Sequence, residues 1–526
     1  MRGLTLSRIA HVTGGTLYLS VLTKERIFAT FDDVTLRKAG PEIRQLYGTL
    51  EETEVSMITT DSRKVQEGGL FAAIVGERVD GHSYIAGVFE QKALCVISER
   101  ALTRKDLISD DLARTSAGTI SRAWIEVTDT QTALARIAEE YLKILRIPVV
   151  GVTGSVGKTS TKEMIASVLS QKFRTLKTEG NFNNELGVPL TIFRLRDDDE
   201  VAVIEMGINH FGEMTRLSKI VRPDIAVITN IGTAHLEFLK SRDGILRAKT
   251  EIFEYMKPDG LAVLSGNDDK LTTLDEVKGK DPVFFGVDSD EEGTDMLCAG
   301  EKAVYRAPTE EEAYSYDRPR NIYAKNIRPQ GFSGSECTMV TPSGSFEVRV
   351  PVSGIHQVAN AAAATAVGLA LNMSLTEIRR GIEAMQTIAG RFRIIETGSM
   401  TVIDDCYNAN PISMKTSLGV MAGSTGHRVA ILGDMGELGD TEKAMHEETG
   451  RCAAGCVDKL IAIGRLSKDM YEAALKKRPD MEAVWYESVE EFLKKRDEEL
   501  ESGDIVLVKA SHFMEFPKIV AALTSS

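Results

Sequence analysis

The apolar run at residues 148–153 stops at Gly154 and gives way to Ser-Val-Gly-Lys-Thr-Ser. A segment with Met164, Ile165, Val168 and Leu169 at helical spacing follows. A buried strand that enters a glycine-rich turn and leaves as a helix constrains this chain more than any other feature. Gly154 and Gly157 let the backbone curl so that several N–H groups point into one concavity. The helix N-terminus behind them adds partial positive charge. Lys158 is placed to reach the outer phosphates of a nucleotide, and the Thr159 hydroxyl to ligate Mg2+. The strict Gly-x4-Gly-Lys-[Ser/Thr] spacing fails by one, because position 152 is Val and the glycine stands at 151. The pattern present is Thr-Gly-x-x-Gly-Lys-Thr-Ser.

Around this turn, strand-like and helix-like segments alternate. Residues 200–206, 224–230 and 261–265 are short and apolar almost throughout, which suits strands covered on both faces of a parallel sheet. A helix-like stretch at 131–145 precedes the turn. Farther on, 354–371 reads as an alanine-rich helix. The runs 401–405, 428–433, 459–464 and 504–509 repeat the buried-strand pattern with helical patterns between them, as in a second doubly wound sheet. Near the N-terminus, 70–76 and 93–98 read as buried strands among turns. Residues 32–55 are polar and fit no element, and 288–320 are acidic and read as solvated loop or sheet edge. A length of 526 residues allows three or four domains. The expected fold class is α/β in three domains: a smaller α/β N-terminal domain over 1–128, a central P-loop parallel-sheet domain over 129–352, and a C-terminal Rossmann-like domain over 353–526.

Composition removes several classes. Sixty-three Lys and Arg against 77 Asp and Glu leave a net charge of −14, which argues against a nucleic-acid partner. No apolar stretch approaches the roughly 18–20 residues that span a bilayer, so no membrane insertion is expected. His11, Gly14 and Gly15 interrupt the apolar N-terminus, which reads as part of a domain and not as a secretory signal. A cytoplasmic monomer is expected. The six cysteines (95, 298, 337, 406, 452, 456) are scattered and read as reduced, buried thiols; Cys452 and Cys456 alone make half a zinc site.

Other residues stand where ligands are usually held. Glu205 ends a buried strand, at the sheet edge where an acid can hold a metal or make a cap or salt bridge. His235 follows the next strand, where it can be a ligand beside the phosphate loop or, as the lesser reading, a satisfied loop histidine. Asn183 and Asn184 can hydrogen-bond a nucleotide or sugar without adding charge, though Asn and Gly also favour turns. His356 and Asn360 are four apart at a helix start and share a face. Asp404, Tyr407 and Asn408 follow a strand end, a usual ligand position in open α/β sheets. Lys249 taken alone is an ordinary surface lysine.

Taken together, TGSVGKTSTKEM, TEGNFNNELGVPLT (178–191), VIEMGIN (203–209), TNIGTAHLEFL (229–239) and AKTEIF (248–253) resemble the central domain of the Mur ligases. GIHQVANAAAA (354–364), GRFR (390–393), DDCYNANPISM (404–414) and LGDMGELG (432–439) extend the resemblance towards the C-terminus. TDSRKVQEGGLFAAIVG (60–76) and DGH (80–82) extend it towards the N-terminus. The Tyr-Asn-Ala-Asn-Pro run and the Leu-Gly-Asp-Met-x-Glu-Leu-Gly run are similar to the branch that adds D-alanyl-D-alanine.

The resemblance implies an ATP-dependent amide ligase of peptidoglycan precursor synthesis. It would join D-Ala-D-Ala to UDP-N-acetylmuramoyl-tripeptide through an acyl phosphate. ATP phosphates would lie on Gly154, Ser155, Gly157, Lys158, Thr159 and Ser160, with Asn183, Asn184, His356, Asn360 and Asp404 as further nucleotide contacts. Two Mg2+ are implied, one on Thr159 and Glu205 and one on His235. Lys249 matches the family lysine that is carbamylated, an anion able to align a metal. Arg391 would reach the γ-phosphate as a clamp, aided by hinge closure between domains. Lys158, His235, Lys249 and Arg391 are thus the catalytic set. Ser62, Arg63, Asp80 and His82 match the UDP-sugar region, and Tyr407, Asn408 and Asn410 the dipeptide side. One departure is KASH at 509–512, where the family often shows Lys-Gly-Ser-Arg; the docking role of that arginine is put in doubt. The ligase that adds the third residue is the rival within the family, but its Asp-Asn-Pro-Arg-type run is absent. A P-loop ATPase, whose turnover needs no amine acceptor, is the rival from another class.

Overall fold

Three sheet-bearing regions follow one another along the chain, as in an α/β protein. They are seen in a computed structural model that describes residues 1–22, 28–76, 79–108, 120–232, 236–288, 322–387 and 389–525. The acidic segment expected as loop or edge, and His235, lie outside the described residues.

The first region holds β1 (Thr16–Leu22), β2 (Phe28–Phe31), β3 (Ile58–Thr59), β4 (Leu70–Ala72), β5 (Cys95–Ser98) and β6 (Ile120–Glu126). The second holds β7 (Val149–Thr153), β8 (Thr175–Lys177), β9 (Val201–Glu205), β10 (Ile225–Ile228), β11 (Leu261–Ser265), β12 (Val283–Val287), β13 (Ile322–Pro329), β14 (Ser335–Thr341) and β15 (Gly344–Val350). The third holds β16 (Arg393–Glu396), β17 (Thr401–Asp404), β18 (Arg428–Gly433), β19 (Lys459–Ile463), β20 (Glu482–Tyr486) and β21 (Ile505–Lys509).

The chain divides into two compact units. One comprises residues 1–149, 174–206 and 215–223; the other comprises 150–173, 207–214 and 224–526. In the first unit the sheet order is β2-β1-β6-β5-β4-β3. β1 pairs antiparallel with β2 and β6, and β3 to β6 run parallel. The N-terminal apolar residues divide between a helix over Leu6–Thr13, burying Leu6 and Ile9, and β1, burying Leu17, Leu19, Val21 and Leu22. Within 32–55, which sequence left unassigned, a helix runs over Pro41–Glu51, started by Gly40 and Pro41 and burying only Tyr47. The same unit contains the helix Thr130–Leu145, capped by Asp129 on the Thr132 N–H, and the parallel pair β8–β9.

In the second unit, β7 lies beside β10, and β10, β11, β12 and β13 follow in parallel order. β14 and β15 then add an antiparallel edge. The third-region sheet has the order β16-β17-β21-β18-β19-β20, parallel except for β16. Alternate residues of its strands enter two separate cores. Ile403, Ala430, Leu432, Leu460 and Leu507 pack in one. Val402, Val429, Ile431, Ile461, Val506 and Val508 pack in the other. That division is why these strands read as unbroken apolar runs: both faces are covered.

Cys95, Cys337, Cys406 and Cys456 are buried thiols, and Cys298 lies outside the described residues. Cys452 is disulfide-bonded, which departs from the expectation of thiols throughout. Among the described residues no helix is long and apolar enough to cross a membrane.

Candidate active site

β7 ends at Thr153, and the chain turns through Gly154 at φ +152; a Cβ there would stand 1.9 Å from the Thr229 Oγ1. Gly157, at φ +81, caps the helix Lys158–Leu169. Both positions need glycine, one for close approach and one for the left-handed turn. The loop after β10 fixes the rest. The Ser155 N–H donates to the Asn230 carbonyl at 3.0 Å and the Val156 N–H to Asn230 Oδ1 at 3.0 Å. Thr229 Oγ1 and Asn230 Nδ2 donate to the Val156 carbonyl at 2.6 and 2.9 Å. The Gly232 N–H donates to Ser155 Oγ at 2.9 Å. The first intrahelical bond is made by Thr161 N–H to the Gly157 carbonyl, so the N–H groups of Lys158, Thr159 and Ser160 face the helix entrance. Lys158 Nζ lies over the turn, donating to the carbonyls of Gly154 at 2.9 Å and Ser155 at 3.4 Å. This is a preshaped anion cradle with a lysine above it.

Arg391 belongs to the same unit and already meets this loop. Its Nη2 donates to Thr159 Oγ1 at 3.1 Å, and its guanidinium lies 3.9 Å from the centre of the Tyr407 ring. The backbone on either side of Arg391 is pinned. The Gly390 N–H donates to Asp404 Oδ2 at 2.8 Å and the Phe392 N–H to Asp405 Oδ1 at 3.1 Å. Phe392 takes a left-handed φ of +54, strained for a non-glycine residue, and is held by burial and by that bond. Asp404, expected at the nucleotide, thus has a structural task on Gly390 and on the Cys406 thiol, 2.8 Å away. Burial and the Asp404 carboxylate push that thiol well above its usual range. Asp405 is the residue that sequence reasoning missed. It also accepts from Ser417 Oγ and from the buried Lys509 Nζ, each at 2.6 Å. A lysine ending the apolar strand β21 was the available signal, since a buried ammonium needs a carboxylate partner.

The helix Ile355–Ala370 places the next group. Asn360 does share a face with His356, but its amide is engaged: Oδ1 accepts from Thr161 Oγ1 at 2.7 Å, and Nδ2 donates to Gln357 Oε1 at 2.9 Å. Gln357, not singled out by sequence, completes this link to the phosphate-loop helix. His356 Nδ1 is buried and has no hydrogen-bond partner among the described residues. Burial pushes the ring down to about 4, so it is neutral near pH 7. Asn410 caps the helix Pro411–Ala422 through the Ser413 N–H. Asn408 Oδ1 accepts from the Ala409 N–H at 2.9 Å, and the Asn408 carbonyl accepts from Lys509 at 3.2 Å. In the KASH run, Ser511 Oγ accepts from the Gly436 N–H, and the His512 ring lies 5.9 Å from that of Tyr407.

In the first unit, Asn183 Nδ2 donates to Glu205 Oε1 at 2.9 Å. The Glu205 N–H donates to Thr178 Oγ1 at 3.0 Å, within a fully buried setting. Asn184 Oδ1 accepts from the Gly187 N–H at 2.8 Å, the turn chemistry foreseen for Asn. Ser62 and Arg63 open a short 3-10 helix capped by Asp61. Arg63 is exposed and makes a two-pronged pair with Asp61, at 2.9 and 2.9 Å, which holds the carboxyl down to about 2. Asp80 accepts from the N–H and the Nδ1 of His82, and His82 Nε2 accepts from the Glu99 N–H at 3.3 Å. Both ring nitrogens of His82 are therefore engaged by the protein.

Lys249, on the helix Arg242–Thr250, is 1% exposed, so it is not the surface lysine that sequence alone suggests. Burial and the nearby Lys158 charge drive its pKa well below the ordinary lysine value. Among the described residues, no group of three or more His, Cys, Asp and Glu is arranged to hold a metal.

Known proteins share this organisation. Residues 152–368 match the Mur ligase middle domain, 390–512 the Mur ligase glutamate ligase domain, and 54–142 the catalytic domain of the Mur ligase family. A Bacillus subtilis protein named UDP-N-acetylmuramoyl-tripeptide–D-alanyl-D-alanine ligase is 33% identical over 480 residues, covering 90% of this chain and 94% of its own. The chain belongs to the Mur ligase family. Among solved Mur ligases, MurF from Acinetobacter baumannii superposes with a TM-score of 0.76 at 31% identity, covering 99% of both chains. MurF from Thermotoga maritima, in complex with ADP, gives a TM-score of 0.71 at 28% identity over 89% of this chain and 97% of that one. As a Mur ligase, the chain is an ATP-dependent enzyme that forms an amide bond.

Proposed function

We propose that this Mur ligase joins the amine of D-alanyl-D-alanine to the terminal carboxylate of UDP-N-acetylmuramoyl-tripeptide, converting ATP to ADP and phosphate. The observation that carries the reading is the contact of Arg391 with Thr159 beside a preshaped phosphate loop. A fixed cation and a ring of N–H donors then converge where a transferred phosphoryl group must lie. The names of the Bacillus subtilis and Acinetobacter baumannii relatives support the choice of substrates.

A carboxylate resists an amine because it is anionic and would have to expel oxide. Its oxygen first attacks the γ-phosphorus, and ADP leaves with the electron pair of the broken P–O bond. The resulting acyl phosphate has a good leaving group. The dipeptide amine adds to the carbonyl carbon, the tetrahedral adduct collapses, and inorganic phosphate departs with one oxygen of the original acid. The proton lost by the amine passes to base. Lys158 and the loop amides steady the phosphates, and Arg391 neutralises charge on the group in transit. The neutral His356 ring adds no charge and so suits a place beside a nucleobase.

Hard oxygen donors fit Mg2+ better than soft metals, and the Thr159 hydroxyl is such a donor at the phosphate loop. Glu205 is another in the first unit, with Asn183 fixing one of its oxygens. Bound Mg2+ would neutralise the phosphate oxygens. The buried Lys249 suits carbamylation, because only a neutral amine adds carbon dioxide and its surroundings favour that form.

Phosphate release from ATP is expected only when both UDP-muramoyl-tripeptide and D-Ala-D-Ala are present, in an acceptor screen followed by mass analysis of the product. Release undiminished when either is left out would identify a hydrolase instead.

A further inference from the structure

The loop that shapes the phosphate cradle is itself held by a clamp to which the reaction assigns no part. Thr229, Asn230 and Gly232 all bond to Ser155 or Val156, and Ile231 sits among them with both backbone groups taken from behind. Its N–H donates to Asp268 Oδ2 at 2.7 Å, in a buried setting. Its carbonyl accepts from Arg242 Nε at 3.0 Å. The other Asp268 oxygen accepts from the N–H groups of Lys270 and Leu271, each at 3.0 Å, fixing it to the 3-10 turn Leu271–Thr273. Arg242 is fixed in turn by Asp269, at 3.0 and 2.5 Å.

We infer that Asp268, together with Arg242 and Asp269, is a positioning set for phosphoryl transfer: it sets the placement of Ile231 and, through the residues on either side, of the turn at Ser155 and Val156 that leads into the N–H groups of Lys158, Thr159 and Ser160. This rests on the reading that the loop holds ATP phosphates. Asp268 is 8% exposed, and among the described residues no lysine or arginine side chain bonds to its carboxylate; backbone N–H groups hold it instead. Burial raises its pKa, opposed by those three N–H bonds and by the Arg242 charge. A buried acid kept in place mainly by backbone donors acts as a bracket for those donors. Loop amides off aim by a fraction of an ångström lose transition-state stabilisation while leaving the fold intact.

The test is a double-mutant cycle on the full-length enzyme, with ATP, UDP-muramoyl-tripeptide and D-Ala-D-Ala as substrates. Asp268→Asn keeps the volume but replaces one accepting oxygen with a donor. It is expected to lower kcat/KM for ATP by about tenfold or more, with KM for the UDP substrate within about twofold of the parent. Ser155→Ala removes the bond from Gly232. If the clamp acts through this loop, the two substitutions combine to much less than the product of their separate effects on kcat/KM for ATP. A purely structural Asp268 gives effects that multiply, and that result overturns the inference. So does an Asp268→Asn enzyme with a kcat/KM for ATP unchanged from the parent. Should Asp268→Asn fail to fold, Arg242→Lys, which loses the two-pronged grip on Asp269, replaces it in the same cycle with the same criteria. A parent enzyme with no ATP turnover would defeat the functional reading itself, an outcome distinct from failure of the clamp.

Discussion

Replacing Lys158 with alanine is expected to abolish turnover, lowering kcat/KM for ATP by about a thousandfold or more. The Lys158 ammonium lies against the carbonyls of Gly154 and Ser155. It is thereby held over the concavity that the loop amides define, and no second lysine caps that turn among the described hydrogen bonds. Lys249 lies near, but it is buried and its charged form is disfavoured, so it is a poor substitute. Most of the loop's own shape comes from Thr229, Asn230 and Gly232. The fold should therefore survive, and the thermal unfolding midpoint should stay near that of the parent while phosphate release disappears. Retained turnover would remove Lys158 from the chemistry.

Arg391→Ala is the second large effect, with kcat expected to fall by about two to four orders of magnitude and binding of the UDP substrate spared. The side chain is set from three directions. Asp404 and Asp405 fix the backbone on either side, Tyr407 supports the guanidinium plane, and Thr159 accepts one of its N–H groups. So much apparatus around an arginine suits a group whose direction matters as well as its charge. Lysine at this position keeps the charge but loses the planar fork and the stacking, so Arg391→Lys should recover only a minor part of the rate. Steady-state kinetics with equilibrium titration of the UDP substrate separates the two effects. Near-normal kcat in Arg391→Ala would refute the clamp.

Much of the fold was legible because covered parallel strands carry a signal that is local and strong. The runs around Val149–Thr153, Arg428–Gly433 and Ile505–Lys509 are apolar on both faces, and their neighbours are helical. The antiparallel elements were harder. β1 is hidden in an N-terminus that resembles many apolar leaders, and β14 and β15 alternate too irregularly to stand out. The glycines and lysine of the phosphate loop could be read from spacing, since their task is set by the backbone they stand on. Arg391 could not; it came only from the resemblance, because its position at Thr159 joins residues 232 apart.

The partners of Asp405 and Asp268 were invisible for the same reason. Lys509 lies 104 residues from Asp405, so a lysine at the end of an apolar strand signals a carboxylate without saying which, and Ile231 lies 37 from Asp268, a backbone pairing with no sequence signal. The opposite failure concerns polar residues that look free in the sequence. His82, Asn184 and Asn410 are of types that bind ligands, yet each closes a short-range bond to nearby backbone or side chain. Local capping and ligand binding draw on the same residues, and only coordinates distinguish them.

The central claim is that the acid is activated by taking phosphate from ATP before the amine arrives. The most direct measurement places 18O in the terminal carboxylate of UDP-muramoyl-tripeptide, runs the complete reaction, and reads the liberated inorganic phosphate by mass. Transfer of one labelled oxygen from each acid group that reacts is the predicted result. Unlabelled phosphate alongside normal amide product would contradict an acyl phosphate and, with it, this account of the enzyme.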